Sequence, residues 1–231
     1  MIDMPLGFHY ENLVHKNPLN EMLIGILLFL YVIIVVLGTK YSYKIFRKHG
    51  MTHNVAVYYN RKIIHVFAGG IIIFLLPIFF TAATIPLILV SIIALIVYIP
   101  HKRNKLLNWF QVEENMYEVN FVIAWGLAIG ISWIFLNDLI YGILPAAFMS
   151  FGDAVTGVVR NALFKRRTKH WLGNLAMLIV CLPIGIHYAG FAGALAAITA
   201  SIIEQIEFGP IDDNMLITIS TIIVLILLRG I

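Results

Sequence analysis

Eight stretches of nearly uncharged residues follow one another along this chain, and no other feature constrains its fold as tightly. They occupy residues 19–38, 63–80, 82–100, 119–136, 139–158, 171–188, 189–206 and 215–230. A bilayer core about 30 Å thick takes roughly 20 residues of helix, and the lack of water there obliges each segment to satisfy its own backbone hydrogen bonds. With 61% hydrophobic and only 12% charged residues, the chain has too little polar surface to cover a soluble globule. The pattern predicts an all-α, polytopic transmembrane helix bundle forming a single domain over residues 1–231, with about eight spans. The breaks at 80/81, 137–138 and 188/189 are narrow, so re-entrant segments would lower that count by one or two. The first eighteen residues carry Asp3, Glu11 and two prolines with no basic start, unlike a cleavable signal peptide. Cys181 is the sole cysteine, which removes disulfides and thiolate metal sites and leaves it a core or lipid-facing residue.

A net charge of +4 would suggest nucleic acid in a soluble protein, but here the positions of the charges matter more than their sum. Lys40, Lys44, Arg47, Lys48, Arg61 and Lys62 follow the first span; Lys102, Arg103 and Lys105 follow the third; Arg160, Lys165, Arg166, Arg167 and Lys169 follow the fifth. These are fourteen of the sixteen cations. In an eight-span zigzag all three groups emerge on one side, which the positive-inside rule makes the cytosol, with both termini on the non-cytosolic side. The opposite links are short and hold no Lys or Arg.

The basic side also collects acids: Glu113, Glu114 and Glu118 before the fourth span, Asp153 at the end of the fifth, Glu204 and Glu207 at the end of the seventh, and Asp212-Asp213-Asn214 before the eighth. An ionisable group at mid-bilayer depth costs about 2.5–3.5 kcal/mol, so one is kept there for a partner or a task. Asp153 and Glu204 intrude furthest. Carboxylates brought together would hold Mg²⁺ with substrate phosphates, and neighbouring Lys and Arg would take the remaining phosphate oxygens. Plainer roles compete. Asp212, Asp213 and Asn214 suit a helix cap, the basic loops suit topology and anionic lipid, and Glu204 suits an interhelical hydrogen bond. Arg61 and His65, four apart, share a helix face as interfacial residues commonly do. The Gly/Ala run 189–197 reads as a helix-packing seam and lacks the Gly-Lys-Ser/Thr of a phosphate loop.

Taken in order, Arg61-Lys62-Ile-Ile-His65, Gly152-Asp153-Ala154, Lys169-His-Trp-Leu-Gly173-Asn174, and Glu204 followed by Ile211-Asp212-Asp213-Asn214 resemble the dolichol kinase and phytol kinase family of membrane enzymes. The likeness covers residues 61–216. Thr156, Arg160 and Phe164 stand where many relatives have Ala and two glycines, and Leu172 where they have Glu. The resemblance implies a multi-pass membrane transferase that phosphorylates a polyprenol, dolichol or geranylgeraniol type of lipid alcohol at the cytosolic face, using Mg²⁺ and CTP in preference to ATP. It implies that Asp153 binds metal or accepts the alcohol proton, with Asp213 as its catalytic companion and Asp212, Asp213 and Glu204 completing the metal site. Arg160, Lys165, Arg166, Arg167, Lys169, Gly152, Gly173 and Asn174 would hold the nucleotide; Arg61, Lys62, His65 and Asn214 would hold a phosphate or orient the lipid hydroxyl. The partners implied are the lipid alcohol, the nucleoside triphosphate and membrane lipid, with no nucleic acid. A symmetric homodimer is compatible with the sequence but unsupported by it. The same residues would also serve a cytidylyltransferase acting on a lipid phosphate, and the basic loops alone a non-catalytic lipid-phosphate or anion transporter.

Overall fold

The apolar runs fold as helices in this computed structural model, which describes residues 17–165, 168–206 and 211–228. Six helices are long and apolar enough to cross a membrane: α1 (Pro18–Lys48), α2 (His53–Phe79), α3 (Thr84–Lys102), α4 (Tyr117–Leu136), α5 (Ile140–Phe164) and α6 (Trp171–Ile203). A shorter apolar helix, α7 (Asp213–Leu227), follows. The protein is thus an all-α, multi-pass bundle.

Local chemistry sets the helix ends. Asn17 caps α1 by accepting the Leu19 N–H at 3.0 Å, with Pro18 in the first turn, and Arg47 and Lys48 close the other end where the helix dipole is negative. Both α1 and α2 run about ten residues beyond the apolar stretches at the basic end. Hydropathy marks where lipid contact stops, whereas residues 39–48 and 53–62 contain no proline and nothing else that breaks a helix.

The 33 residues of α6 are two antiparallel arms. Ala189 (φ −141°, ψ 20°) and Gly190 (φ 52°, ψ −128°) reverse the chain, the latter in a conformation that glycine alone adopts freely. The arms then touch backbone to backbone: a Cβ on Gly193 would lie 1.9 Å from the Gly185 carbonyl oxygen. Nearer the open end, Ser201 Oγ donates to the Asn174 carbonyl at 2.6 Å and the Asn174 amide donates back to the Ser201 carbonyl. The narrow break at 188/189 is therefore a chain reversal, and the Gly/Ala run is a packing seam.

Helix α5 lies at the centre. Leu144, Ala146, Ala147, Phe148 and Met149 are wholly buried, while α1 turns Leu27, Ile34 and Tyr41 outward. Two π-helical stretches matter for the site: His65–Gly70 within α2 and Phe148–Gly152 within α5. Each wider turn shifts the face that follows it, and Asp153 comes directly after one while His65 opens the other.

Candidate functional site

Asp153 and Arg160 are seven residues apart on α5 and so share a face. Opposite them, α2 presents Tyr58, Lys62 and His65, spaced four and three residues apart. Lys62 Nζ donates to both oxygens of Asp153 at 2.6 Å, and His65 Nδ1 lies 3.1 Å from Asp153 Oδ2. All three are buried; Asp153 is 3% exposed. The His65 ring stacks on Phe121 of α4, with centroids 3.7 Å apart, which fixes its orientation.

A second buried pair lies one step along α5. Arg160 grips Glu204 with both arms of its guanidinium, Nη1 to Oε1 at 2.8 Å and Nη2 to Oε2 at 2.7 Å, and donates through Nε to the His170 carbonyl at 2.9 Å. Asn174 braces the pair, accepting from Arg160 Nη2 at 2.7 Å and donating to Glu204 Oε2 at 3.3 Å. Gly173 leaves space for this, since a Cβ there would stand 2.3 Å from Arg160 Nε. The third pair brings in α7: Lys169 Nζ donates to Asp213 Oδ2 at 2.9 Å and to the Glu204 carbonyl at 2.7 Å.

Three acids from three separate helices therefore converge: Glu204 and Asp213 at helix ends, and Asp153 inside α5, which runs on to Phe164 and does not stop near the acid as its apolar stretch suggested. One oxygen each of Asp153, Glu204 and Asp213 lies within 4.8 Å of the other two. Opposite ligands of an octahedral Mg²⁺ stand about 4.2 Å apart, so small side-chain rotations would bring this set onto a divalent cation. The donors are hard oxygens, as such an ion requires. Lys62, Arg160 and Lys169 each pair with one of the three carboxylates, so a divalent cation would enter only as those cations move aside.

Around the acids lies a polar pocket of about 40 Å³. Among the described residues, six buried side-chain atoms lack any hydrogen-bond partner, and three of them, His65 Nε2, Thr168 Oγ1 and Asn214 Oδ1, belong to residues lining this pocket. Buried orphans are scarce because each costs about 1–3 kcal/mol. Water or a ligand entering the pocket would supply their partners.

Two further cavities adjoin it. A groove of about 110 Å³ between α1, α2, α3 and α4 is apolar except for Arg61, His65 and Glu118. Its wall on α2 extends from Arg61 to Leu76, about 22 Å at the helical rise. A vestibule of about 290 Å³ shares Tyr58, Arg61, Tyr117 and Arg160 with the ionic pocket. Arg61 lines all three cavities, and His65 lines the groove and the pocket.

Other residues singled out in the sequence are placed differently. Asp212 accepts the Met215 N–H at 3.2 Å and the Asn214 amide at 3.1 Å, so it caps α7 and stands outside the three converging acids. Burial, with the adjacent Asp213 carboxylate, pushes the Asp212 carboxyl up to about 6. Arg61 donates to Asn115 Oδ1 at 2.9 Å and lies 3.8 Å from Glu118. Lys165 is exposed at the end of α5, and Gly152 packs on Cys181 and Met177 of the core. Arg166 and Arg167 lie outside the described residues.

Sequence reasoning passed over Tyr58, Thr168 and the network in which Glu118 bonds both His101 and Gln111. Tyr58 was within reach, because it repeats the helical spacing of Lys62 and His65. Thr168 and the Glu118 network carry no comparable local signal. Compared with models of protein families, with curated proteins and with solved structures, the chain matches none.

Proposed function

We propose that this protein transfers the terminal phosphoryl group of a nucleoside triphosphate to the hydroxyl of a long-chain isoprenoid alcohol. One observation carries the reading: a narrow apolar groove between the helices ends at His65 and Arg61, where an acid-lined ionic pocket begins. A lipid alcohol lying in the groove would present its hydroxyl to His65 Nε2, the ring nitrogen left without a partner. Asp153 holds that ring through Nδ1 and Phe121 holds its plane. The hydroxyl oxygen attacks the terminal phosphorus, its proton passes to the His65–Asp153 pair, and the bond to the bridging oxygen breaks to release a nucleoside diphosphate. Phosphoryl transfer asks the protein mainly for in-line placement and charge neutralisation, which suits a site this rich in cations.

Asp153, Glu204 and Asp213 would hold Mg²⁺, which neutralises phosphate charge as the transition state forms. Lys62 and Lys169, which now neutralise those acids, would then turn to phosphate oxygens. Arg160 keeps a structural share of the work, since Glu204, His170 and Asn174 hold it on every side. CTP is the donor favoured by the family resemblance, with ATP second.

The same reading counts eight crossings, taking the two arms of α6 separately and including α7. It places the basic loops and the site on the cytosolic side, with both termini across the membrane. A second reaction is favoured by Arg61, because a guanidinium at the end of the groove would suit a lipid phosphate as acceptor in cytidylyl transfer. Detergent-purified protein, given geranylgeraniol or a polyprenol with Mg²⁺ and CTP or ATP, separates the two. A prenyl monophosphate with CDP or ADP supports the kinase. Pyrophosphate released on supplying a lipid phosphate supports the transferase, and absence of either product removes both.

A further inference from the structure

The vestibule beside the ionic pocket has no part in the chemistry above, and its lining is unlike that of the other two cavities. At about 290 Å³ it is close to the roughly 300 Å³ at which small-molecule sites begin. The ionic pocket, at about 40 Å³, has room for an ion and phosphate oxygens but not for a ring system. Three asparagines, Asn54, Asn115 and Asn161, line the vestibule with the Glu114 carboxylate, while Tyr58 and Tyr117 stand at its boundary with the pocket. Amide groups both donate and accept, and they match the hydrogen-bonding edge of a planar base better than they match a phosphate.

Asn161 supplies an independent observation. It is 7% exposed, yet among the described residues its side-chain amide has no protein partner. Comparably buried Asn60 and Asn174 are both fully engaged. The residue is largely buried while its amide atoms keep access to the cavity, so their hydrogen bonds come from what occupies the cavity, water or a ligand that displaces it. It lies on α5 next to Arg160, so a ligand bonded to it is one residue away from the ionic pocket.

We infer that the vestibule binds the nucleoside half of the donor, its base held by Asn161 and Glu114 and its phosphates leading past Arg61 and Arg160 to the acids. This rests on the phosphotransfer reading for the identity of the ligand as a nucleotide. Glu114 adds a preference within that class. A carboxylate only accepts hydrogen bonds, so it pairs with an exocyclic amino group and repels a carbonyl in the same place. Cytosine and adenine offer that amino group, whereas uracil has a carbonyl at the same position and only its ring N3–H to give.

Equilibrium binding to the full-length purified protein with Mg²⁺ tests this, with CTP, ATP, UTP and inorganic tripolyphosphate as probes. The parent should bind CTP or ATP about ten-fold or more tighter than tripolyphosphate, and tighter than UTP, the difference being the hydrogen bonds of the base. Asn161→Ala should remove most of that increment while leaving tripolyphosphate affinity unchanged. Glu114→Gln, at an exposed position where folding is not at stake, should narrow the gap between CTP and UTP. Equal affinity of the parent for CTP, ATP and tripolyphosphate, or an undiminished increment in both variants, overturns the vestibule assignment and leaves phosphotransfer standing. Failure to bind any polyphosphate overturns phosphotransfer as well.

Discussion

Asp153 and Asp213 both belong to the converging acids, but their surroundings differ enough to separate catalytic from structural loss. Asp153 and Lys62 are at most 10% exposed in their side chains, whereas Asp213 is 13% and its partner Lys169 30% exposed. Removing one partner of a buried pair strands the other charge and costs about 3–5 kcal/mol, and less where the remaining partner can reach water. Under the proposed reaction Asp213→Asn should abolish turnover with the smaller fall in melting temperature, because Lys169 reaches solvent, and Asp153→Asn should abolish turnover with the larger fall. A thermal melt of both variants beside the activity assay checks this; equal melting would mean that Lys62 finds another partner. Asp212 allows a pH test. Its carboxyl is raised to about 6 by burial first and by Asp213 second. The folded protein thus prefers it protonated, and that contribution is complete below about 4, the ordinary carboxyl value, and lost as pH rises through 6. Asn keeps the cap on α7 without the charge, so Asp212→Asn should match the parent near pH 4 and exceed it above pH 6, by on the order of 1–3 kcal/mol. Melting temperatures measured across that range would expose a wrong sign directly.

Among the elements, α6 most directly converts sequence into site geometry. Its hairpin sets Asn174 on one arm across from Ser201 and Glu204 on the other, so any wedge between the arms displaces an acid of the triad. Gly193→Ala places a methyl 1.9 Å from a backbone oxygen that has no rotamer to adjust. We expect loss of about 1–3 kcal/mol or more from this overpacking, with activity falling in parallel. Gly38→Ala on α1 is the control, because nothing lies within 4 Å of the added carbon and helix propensity favours alanine by about 1 kcal/mol. Circular-dichroism melts of both variants test the contrast. The elements were largely legible in the sequence: apolar length alone located α3, α4 and the two arms of α6 to within a few residues. It misjudged the basic ends of α1 and α2, because hydropathy reports the lipid boundary and a helix continues past it. The site was legible in its parts and illegible in its pairing. Lys62, His65 and Asp153 stood out as charges near apolar runs, but their contacts span 88 to 91 residues, and no local periodicity carries such information. At Asp212-Asp213 the capping and acid-site readings each suit one residue, a distinction that depends on side-chain direction alone.

Across the whole molecule, the three cavities meeting at Arg61 impose an order that no single residue has: apolar groove, acid pocket, vestibule. If the groove takes the lipid and the vestibule the nucleotide, as proposed, their kinetics should be separable. Ala68 lines only the apolar groove, and Ala68→Leu should raise KM for the lipid alcohol several-fold while leaving that for the nucleotide unchanged; a common rise in both would mean one shared inlet. The order also requires an orientation. Lys44, Lys102 and Lys165 are exposed near the end of the bundle where α1 and α5 finish and α2 begins, and Ala82 and Asn137 are exposed in the links at the other end. Under the proposed reaction a water-soluble nucleotide would reach Arg160 from the basic end, which would then face the compartment that holds it. Cys181 is wholly buried, so single cysteines introduced at these five exposed positions report without background from it. A membrane-impermeant maleimide applied to intact cells should label Ala82→Cys and Asn137→Cys and spare the other three, and permeabilisation should expose all five. Labelling of Lys102→Cys in intact cells would turn the ionic pocket away from the cytosolic nucleotide pool, and a phosphotransferase so oriented would have no donor to use.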